Sequence, residues 1–397
     1  MKAKGLLCTK CSKVFPFEPH TYCPDCGGIL TAIYDDAAYT LKEGEKLSET
    51  FQLMPVDRDD MGTLGTTPTP LVRSRRLGEK LGLKNLWYKC ESNNLTGSFK
   101  DRPITMGIAV AKGFGMKSVL IPSSGNAAAA CAAAAANLDM DSIVLIPDSA
   151  PNEKIKQTAF CGAKVFKVEG PMHNAINVAV ELSKRFNVMN VTSSYMNPFT
   201  QEGEKLIGYE LYEQMNDMPD RVYIPCGGGA LLAGVRKGLE EYRRIKGGKV
   251  TQMMVVQAAG CSPIVKAYEN NTNCVSEMNP HTVAGGICDG LGGNPADGDY
   301  TLKACKDSGG WAVAVTDEEI LEAAKLAATY DGVFVEPSAS AALAGAIRDC
   351  REGKLDPNEN IVVVMTGHGL KDMNSLGELP VPPTVNSADE IGAALGL

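Results

Sequence analysis

SVLIPSSGNAAAACAAAAAN, residues 118–137, is the stretch whose reading decides the fold. Ser118–Pro122 reads as a short buried strand, because aliphatic and β-branched side chains suit a pleated surface covered on both faces. Ser123-Ser124-Gly125-Asn126 interrupts it with turn chemistry, and the alanine-rich segment starting near Asn126 has the composition that most favours a helix. Strand, tight turn and helix in that order are half of a βαβ unit.

The pattern recurs on either side. Upstream, Leu86–Cys90 reads as a strand and Asp101–Gly113 as a helix. Downstream come a strand at Ser142–Pro147, a helix at Asn152–Cys161, a strand at Lys164–Val168 and a helix at His173–Phe186. Further short apolar runs lie at Arg221–Pro225, Met253–Gln257 and Ile361–Met365. Such runs separated by helices imply an α/β fold with parallel sheets covered on both faces. Residues 35–75 carry no strong periodicity, and Thr66–Leu71 is a proline-rich entry loop.

A chain of 397 residues is too long for one simple core and suits two packed domains. The net charge of −8, with no basic run, argues against a nucleic-acid or anionic-membrane surface. Ala127–Ala136, the longest low-polarity tract, has 10 residues and is too short to cross a bilayer. Met1–Lys4 opens no apolar signal segment, so a cytoplasmic location is expected. Nine of the 13 cysteines are scattered without pairing logic, and an odd total fits a reducing compartment.

The other four, Cys8, Cys11, Cys23 and Cys26, form two C-x2-C knuckles separated by eleven residues. Each knuckle presents two thiolates on a tight turn, and two knuckles complete a tetrahedral zinc shell. Residues 1–34 therefore read as a zinc-ribbon-like module, with a closed and structural metal site. The alternative is a ribbon that keeps its cysteines and binds no metal.

Four turns at the C-terminal ends of strands, where α/β sheets bind ligands, carry the candidate chemistry. The first, SNNLTGSFKDR (Ser92–Arg102), holds Lys100 behind Thr96-Gly97-Ser98 at a helix start; a lysine taken alone is more often a solvated surface group. The second, Ser123–Asn126, offers hydroxyls and a helix N-terminus to an anion, or serves only as an N-cap. The third, Pro225-Cys226-Gly227-Gly228-Gly229-Ala230, lets the backbone approach a phosphate closely and matches neither nucleotide-binding glycine motif. The fourth, Thr366–Asp372, offers a neutral hydroxyl at Thr366, while His368 is either a base or a structural histidine. A lysine amine, phosphate-cradling glycines, a Gly-Asn turn and a late hydroxyl together suit pyridoxal phosphate.

At these residues the sequence resembles the fold-type II pyridoxal-phosphate enzymes, and among them the threonine synthases. The likeness is carried by TGSFKDR, SSGN, GVFVEPSASAALAG, TGHGLKD and the N-terminal ribbon. It implies two open three-layer αβα domains with pyridoxal 5'-phosphate in the cleft between them. The larger would comprise 35–85 and 200–397, and a small mobile domain 86–199. It further implies that Lys100 bonds the cofactor aldehyde, that Asn126 meets its phenolate, that Gly227–Ala230 (Gly227, Gly228, Gly229, Ala230) hold its phosphate, and that Thr366 meets its ring nitrogen. Ser98, Ser123, Ser124 and Gly125 are expected at the substrate, a small amino acid, and a homodimer is expected from the same likeness.

The implied reaction is that of threonine synthase, O-phosphohomoserine plus water giving threonine and phosphate. Three departures keep a second reading open. Ala127 and Ala128 follow Asn126 where the family carries hydroxyls, and no arginine lies between Pro198 and Glu202. PCGGGALLAG and Thr282–Ile287 also resemble the serine/threonine dehydratases, which eliminate water from an unphosphorylated amino acid. In either case Lys100 is the expected base for the Cα proton.

Overall fold

The computed structural model describes residues 1–150, 152–377 and 381–396, with the side chains of 152–154 left aside. Two parallel sheets organise it. The four-stranded sheet runs Lys164–Val168, Asp141–Pro147, Ser118–Pro122, Val188–Asn190. The six-stranded sheet runs Ala312–Val315, Gln252–Ala258, Arg221–Pro225, Asn360–Val364, Asn85–Lys89, Leu71–Arg73, and only the last strand is antiparallel to its neighbour. All five residues of Arg221–Pro225 are buried, as a central strand covered by helices on both faces requires. The α/β expectation holds; the helix Asp101–Gly113 has the expected bounds, and the helix Asn126–Asn137 starts where the sequence puts it.

One strand falls on the other side of the expected domain division. Asn85–Lys89 pairs in parallel with Asn360–Val364, Leu86 opposite Ile361 and Tyr88 opposite Val363, so it belongs to the six-stranded sheet. A division at residue 86 therefore does not follow the strand pairing. Local sequence reveals a strand but not a partner some 275 residues away along the chain. The short strands Val188–Asn190, Leu71–Arg73 and Ala312–Val315 were also not legible as runs.

The helix Asp101–Gly113 packs against Thr200–Met215 of the larger lobe and Asn126–Asn137 of the smaller one, so Lys100 stands at the head of a helix shared by both. Its first turn is braced by buried charges. The Arg102 guanidinium reaches Glu91 at 2.7 Å and Glu210 at 2.6 Å, and Lys89 pairs with the same Glu210. Asp101 accepts hydrogen bonds from the Thr96 amide and hydroxyl, closing the TGSFK loop on itself.

The N-terminal module is a three-stranded antiparallel sheet, Val14–Phe15, Gly5–Cys8, Leu30–Ile33. It packs on the larger lobe through Phe17, which touches Phe114 and Phe199 edge-on or tilted, and through Tyr34, whose hydroxyl donates to Glu202 at 2.5 Å. The sulfurs of Cys8, Cys11, Cys23 and Cys26 all lie within 4.8 Å of one another, with Cys8–Cys26 at 3.5 Å and Cys11–Cys23 at 3.8 Å. Tetrahedral zinc with bonds near 2.3 Å needs sulfurs about 3.8 Å apart. No helix is long and apolar enough to cross a membrane among the described residues.

Candidate active site

The four turns converge. A cavity of about 610 Å³ is lined by Lys100, by Ser123, Ser124, Gly125 and Asn126, by Gly227–Ala230 and by Thr366. Each turn follows the C-terminal end of a parallel strand or opens a helix, so the fold aims all of them at one point. Ser98 is the exception: it is buried, its Oγ has no partner, and it does not line the cavity.

Lys100 donates from Nζ to Ser193 Oγ at 2.6 Å and lies 4.4 Å from the Phe99 ring centroid. Loss of hydration lowers its pKa below the usual lysine value, against the pull of Glu204, Glu336 and Asp289. A fraction of neutral amine, the nucleophilic form, is thereby available at lower pH than on the surface.

The glycine turn is fastened through its carbonyls. Gly227 O accepts from Gln257 Nε2 at 3.1 Å, Gly228 O from Thr301 Oγ1 at 2.6 Å, and Gly229 O from the Tyr195 hydroxyl at 3.1 Å. The N–H groups of Gly227, Gly228 and Gly229 donate to nothing among the described residues. Open amides at the N-terminus of the helix Ala230–Lys246 make an anion cradle, the arrangement a cofactor phosphate needs. Gly229 has φ +92°, and a Cβ there would lie 2.3 Å from Thr301 Cγ2, so no larger residue fits.

Asn126 Nδ2 donates to both oxygens of Glu336, at 3.0 and 3.1 Å. Thr366 is buried on the cavity wall. His368 does not line the cavity; its Nδ1 accepts from the Leu370 amide at 3.2 Å, which is the structural alternative. Thr200, between Pro198 and Glu202, turns its hydroxyl to Asn197 O at 2.9 Å and also lies off the cavity. The side-chain cations on the lining are Lys100 and Lys371, the latter donating to Thr96 O at 3.0 Å and Gln157 Oε1 at 2.6 Å.

Several lining residues were not singled out from sequence: Ser193, Glu204, Asp289, Asp297, Glu336 and Lys371. Burial and the neighbouring Asp289 push the Asp297 carboxyl up to about 7, and burial pushes Glu204 up to about 8. Glu204 had a legible signal. Glu202 has Lys205 three residues on, a favourable helical spacing, whereas Glu204 has no basic residue three or four positions away on either side.

Comparison with known proteins agrees with this geometry. The profile of the family described as "Pyridoxal-phosphate dependent enzyme" matches residues 62–367. The chain is similar to the threonine synthase of Methanocaldococcus jannaschii, 38% identical over 379 residues and 92% of each chain. It is also similar to that of Methanosarcina acetivorans, 35% identical over 97% of this chain and 96% of that one. Among solved structures, the processed form of threonine deaminase isoform 2 from Solanum lycopersicum shares the fold, with a TM-score of 0.67 at 24% identity, over 86% of this chain and 96% of that one. The profile match spans both parallel sheets, three of the converging turns and Thr366 of the fourth, and the chain belongs to the pyridoxal-phosphate dependent enzyme family.

Proposed function

We propose that the chain is a carbon–oxygen lyase of the threonine synthase type, converting O-phosphohomoserine and water to threonine and phosphate. The observation that carries this reading is a single cavity holding a low-pKa lysine and an unsatisfied amide cradle, with a second cation, Lys371, on its wall. Similarity to threonine synthases along nearly the whole chain, ribbon included, supports the choice of reaction.

Pyridoxal phosphate, when bound, supplies an electron sink for charge developing at Cα. Gly227, Gly228, Gly229 and Ala230 would hold its phosphate, Asn126 its phenolate and Thr366 its ring nitrogen, with Lys100 bonded to its aldehyde. The Lys100 amine, in its neutral form, would take the Cα proton, and Ser193 would keep the amine on the cavity wall through the bond it already accepts. Ser123, Ser124 and Gly125 would face the substrate, and Lys371 would meet its phosphate. Ser98, next to Phe99 and Lys100 but not itself on the lining, would support the substrate side from behind them. The Cys8, Cys11, Cys23 and Cys26 set would hold a structural zinc ion, its sulfur spacing matching the tetrahedral requirement. A cytoplasmic homodimer completes the reading.

A second reading has its own support: five carboxyl side chains against two lysines on the lining, and no arginine. That lining suits an unphosphorylated serine or threonine, eliminated to a 2-oxo acid and ammonia. Incubating the cofactor-loaded protein with O-phosphohomoserine, serine and threonine separates the two. Phosphate release with threonine formation is the expected result; ammonia with 2-oxo acid, and no phosphate, would replace it with the second.

A further inference from the structure

The helix Thr200–Met215 sends into the cavity one carboxyl that the chain leaves unsatisfied. Glu204 is buried, lines the cavity, and its Oε2 has no hydrogen-bond partner among the described residues. The neighbouring helix makes room for it at Gly234, where a Cβ would lie 2.4 Å from Glu204 Cβ and 3.0 Å from Oε2. Two residues earlier, Glu202 is treated differently: Lys205, Lys237 and Tyr34 all bond to it. A buried carboxyl without a partner is costly, so its retention beside an active amine calls for a chemical reason.

The charges facing Lys100 come from three places: Glu204 on this helix, Glu336 ahead of the helix Pro337–Arg351, and Asp289 in the loop over the glycine turn. Glu204 acts on the amine most strongly. The others are engaged, Glu336 by Asn126 and Asp289 by the Leu291 amide at 3.0 Å. Lys100 is in turn the charge that acts on Glu204.

We propose that Glu204 is the proton partner of Lys100, a positioning residue that holds as a neutral carboxylic acid the proton the lysine gives up before its amine bonds to a carbonyl carbon. The exchange is balanced within the pair. The proton leaves Nζ and lands on a carboxylate oxygen, so ammonium plus carboxylate become amine plus acid with no change of net charge. Direct contact is not required, because a polar-lined cavity of about 610 Å³ has room for a bridging water. Burial favours the neutral form of both groups, raising the Glu204 carboxyl and lowering the Lys100 amine.

The proposal rests on Lys100 being the lysine that bonds the cofactor, and the experiment separates the two claims. Apoprotein is titrated with pyridoxal 5'-phosphate across pH, and the visible absorbance of the lysine-bound cofactor is followed. In Glu204→Gln the ammonium loses its strongest carboxylate, so the pH midpoint for bond formation falls by about one unit or more. Infrared difference spectra of cofactor-loaded against apoprotein should show one carboxylic-acid band gained as the bond forms in wild type, absent from this variant and lost again as pH rises past about 8. Glu204→Asp, which keeps the titrating group, should move the midpoint back towards wild type. An unmoved midpoint with only a lowered Tm, or no such band in wild type near neutral pH, would overturn the proposal. If the Gln variant does not fold, the wild-type infrared titration decides. Lys100→Ala is the control: surviving absorbance sinks the reading of Lys100 itself, whereas lost absorbance beside an unmoved Glu204→Gln midpoint sinks only the role of Glu204.

Discussion

Lys100 and Arg102 are two residues apart and both sit among buried carboxylates, yet their surroundings are opposites. Arg102 is fully satisfied: Glu91, Glu210, Thr69 and the Gly65 carbonyl take its donors, and its pKa is held above the usual value despite burial. Lys100 has one hydroxyl acceptor and, in Glu204, a neighbouring carboxyl with an unpartnered oxygen, and its pKa is lowered. Where partners outweigh lost hydration, a buried charge is a brace; where lost hydration wins, it becomes a reagent. The same contrast divides the glycine turn, whose carbonyls are all taken and whose amides are all open.

The comparison can be broken most forcefully at Arg102. Arg102→Met leaves Glu91 buried with no paired cation and Glu210 with Lys89 alone, and should cost about 3–5 kcal/mol, read as a shift in the denaturation midpoint by circular dichroism. A stable variant with impaired cofactor binding would mean the guanidinium is a reagent after all. Gly229→Ala probes the open side. Left-handed backbone costs about 1–2 kcal/mol and the overlap with Thr301 about 1–3 kcal/mol more, so Tm should fall and pyridoxal-phosphate affinity, measured by fluorescence quenching, should fall at least tenfold.

Asp297→Asn is the most conservative substitution. Its folded pKa of about 7 lies above the unfolded carboxyl value near 4, so the native state holds the proton more tightly. Wild type is then fully stable below about pH 4 and loses this contribution as pH rises through 7. The variant should match wild type in acid and exceed it above pH 7 by up to about 4 kcal/mol, the worth of about three pKa units. Curves that stay parallel over that range would show that Asp297 is not strained by its burial.

Much of this was legible in advance because it is local. Ser118–Pro122 with its Ser-Gly-Asn turn, RVYIP with its glycines, and IVVVM with Thr366 each carry strand, turn and function within a dozen residues. What escaped depends on distance along the chain. The membership of Asn85–Lys89 in the larger sheet is fixed by pairing with Asn360–Val364. The fastening of the glycine turn comes from Tyr195, Gln257 and Thr301, none of which belongs to a recognisable motif. Ser193 reaches Lys100 from 93 positions away. Chemistry written into a turn can be read from the turn; the side chains that tune it arrive from elsewhere.

The helix Thr200–Met215 has a mechanical consequence through its glycines. At Gly203 a Cβ would meet the Arg102 carbonyl at 2.2 Å, and at Gly208 the Val235 carbonyl at 2.4 Å; facing it, Gly238 on Ala230–Lys246 meets the Lys205 carbonyl at 2.4 Å. Backbone is pressed on backbone along this seam, so it works as a keel to which the amine-bearing helix, the cradle-bearing helix and, through Glu202, the ribbon are all fixed. The spacing between amine and cradle is therefore set by backbone against backbone, not by side chains that can turn.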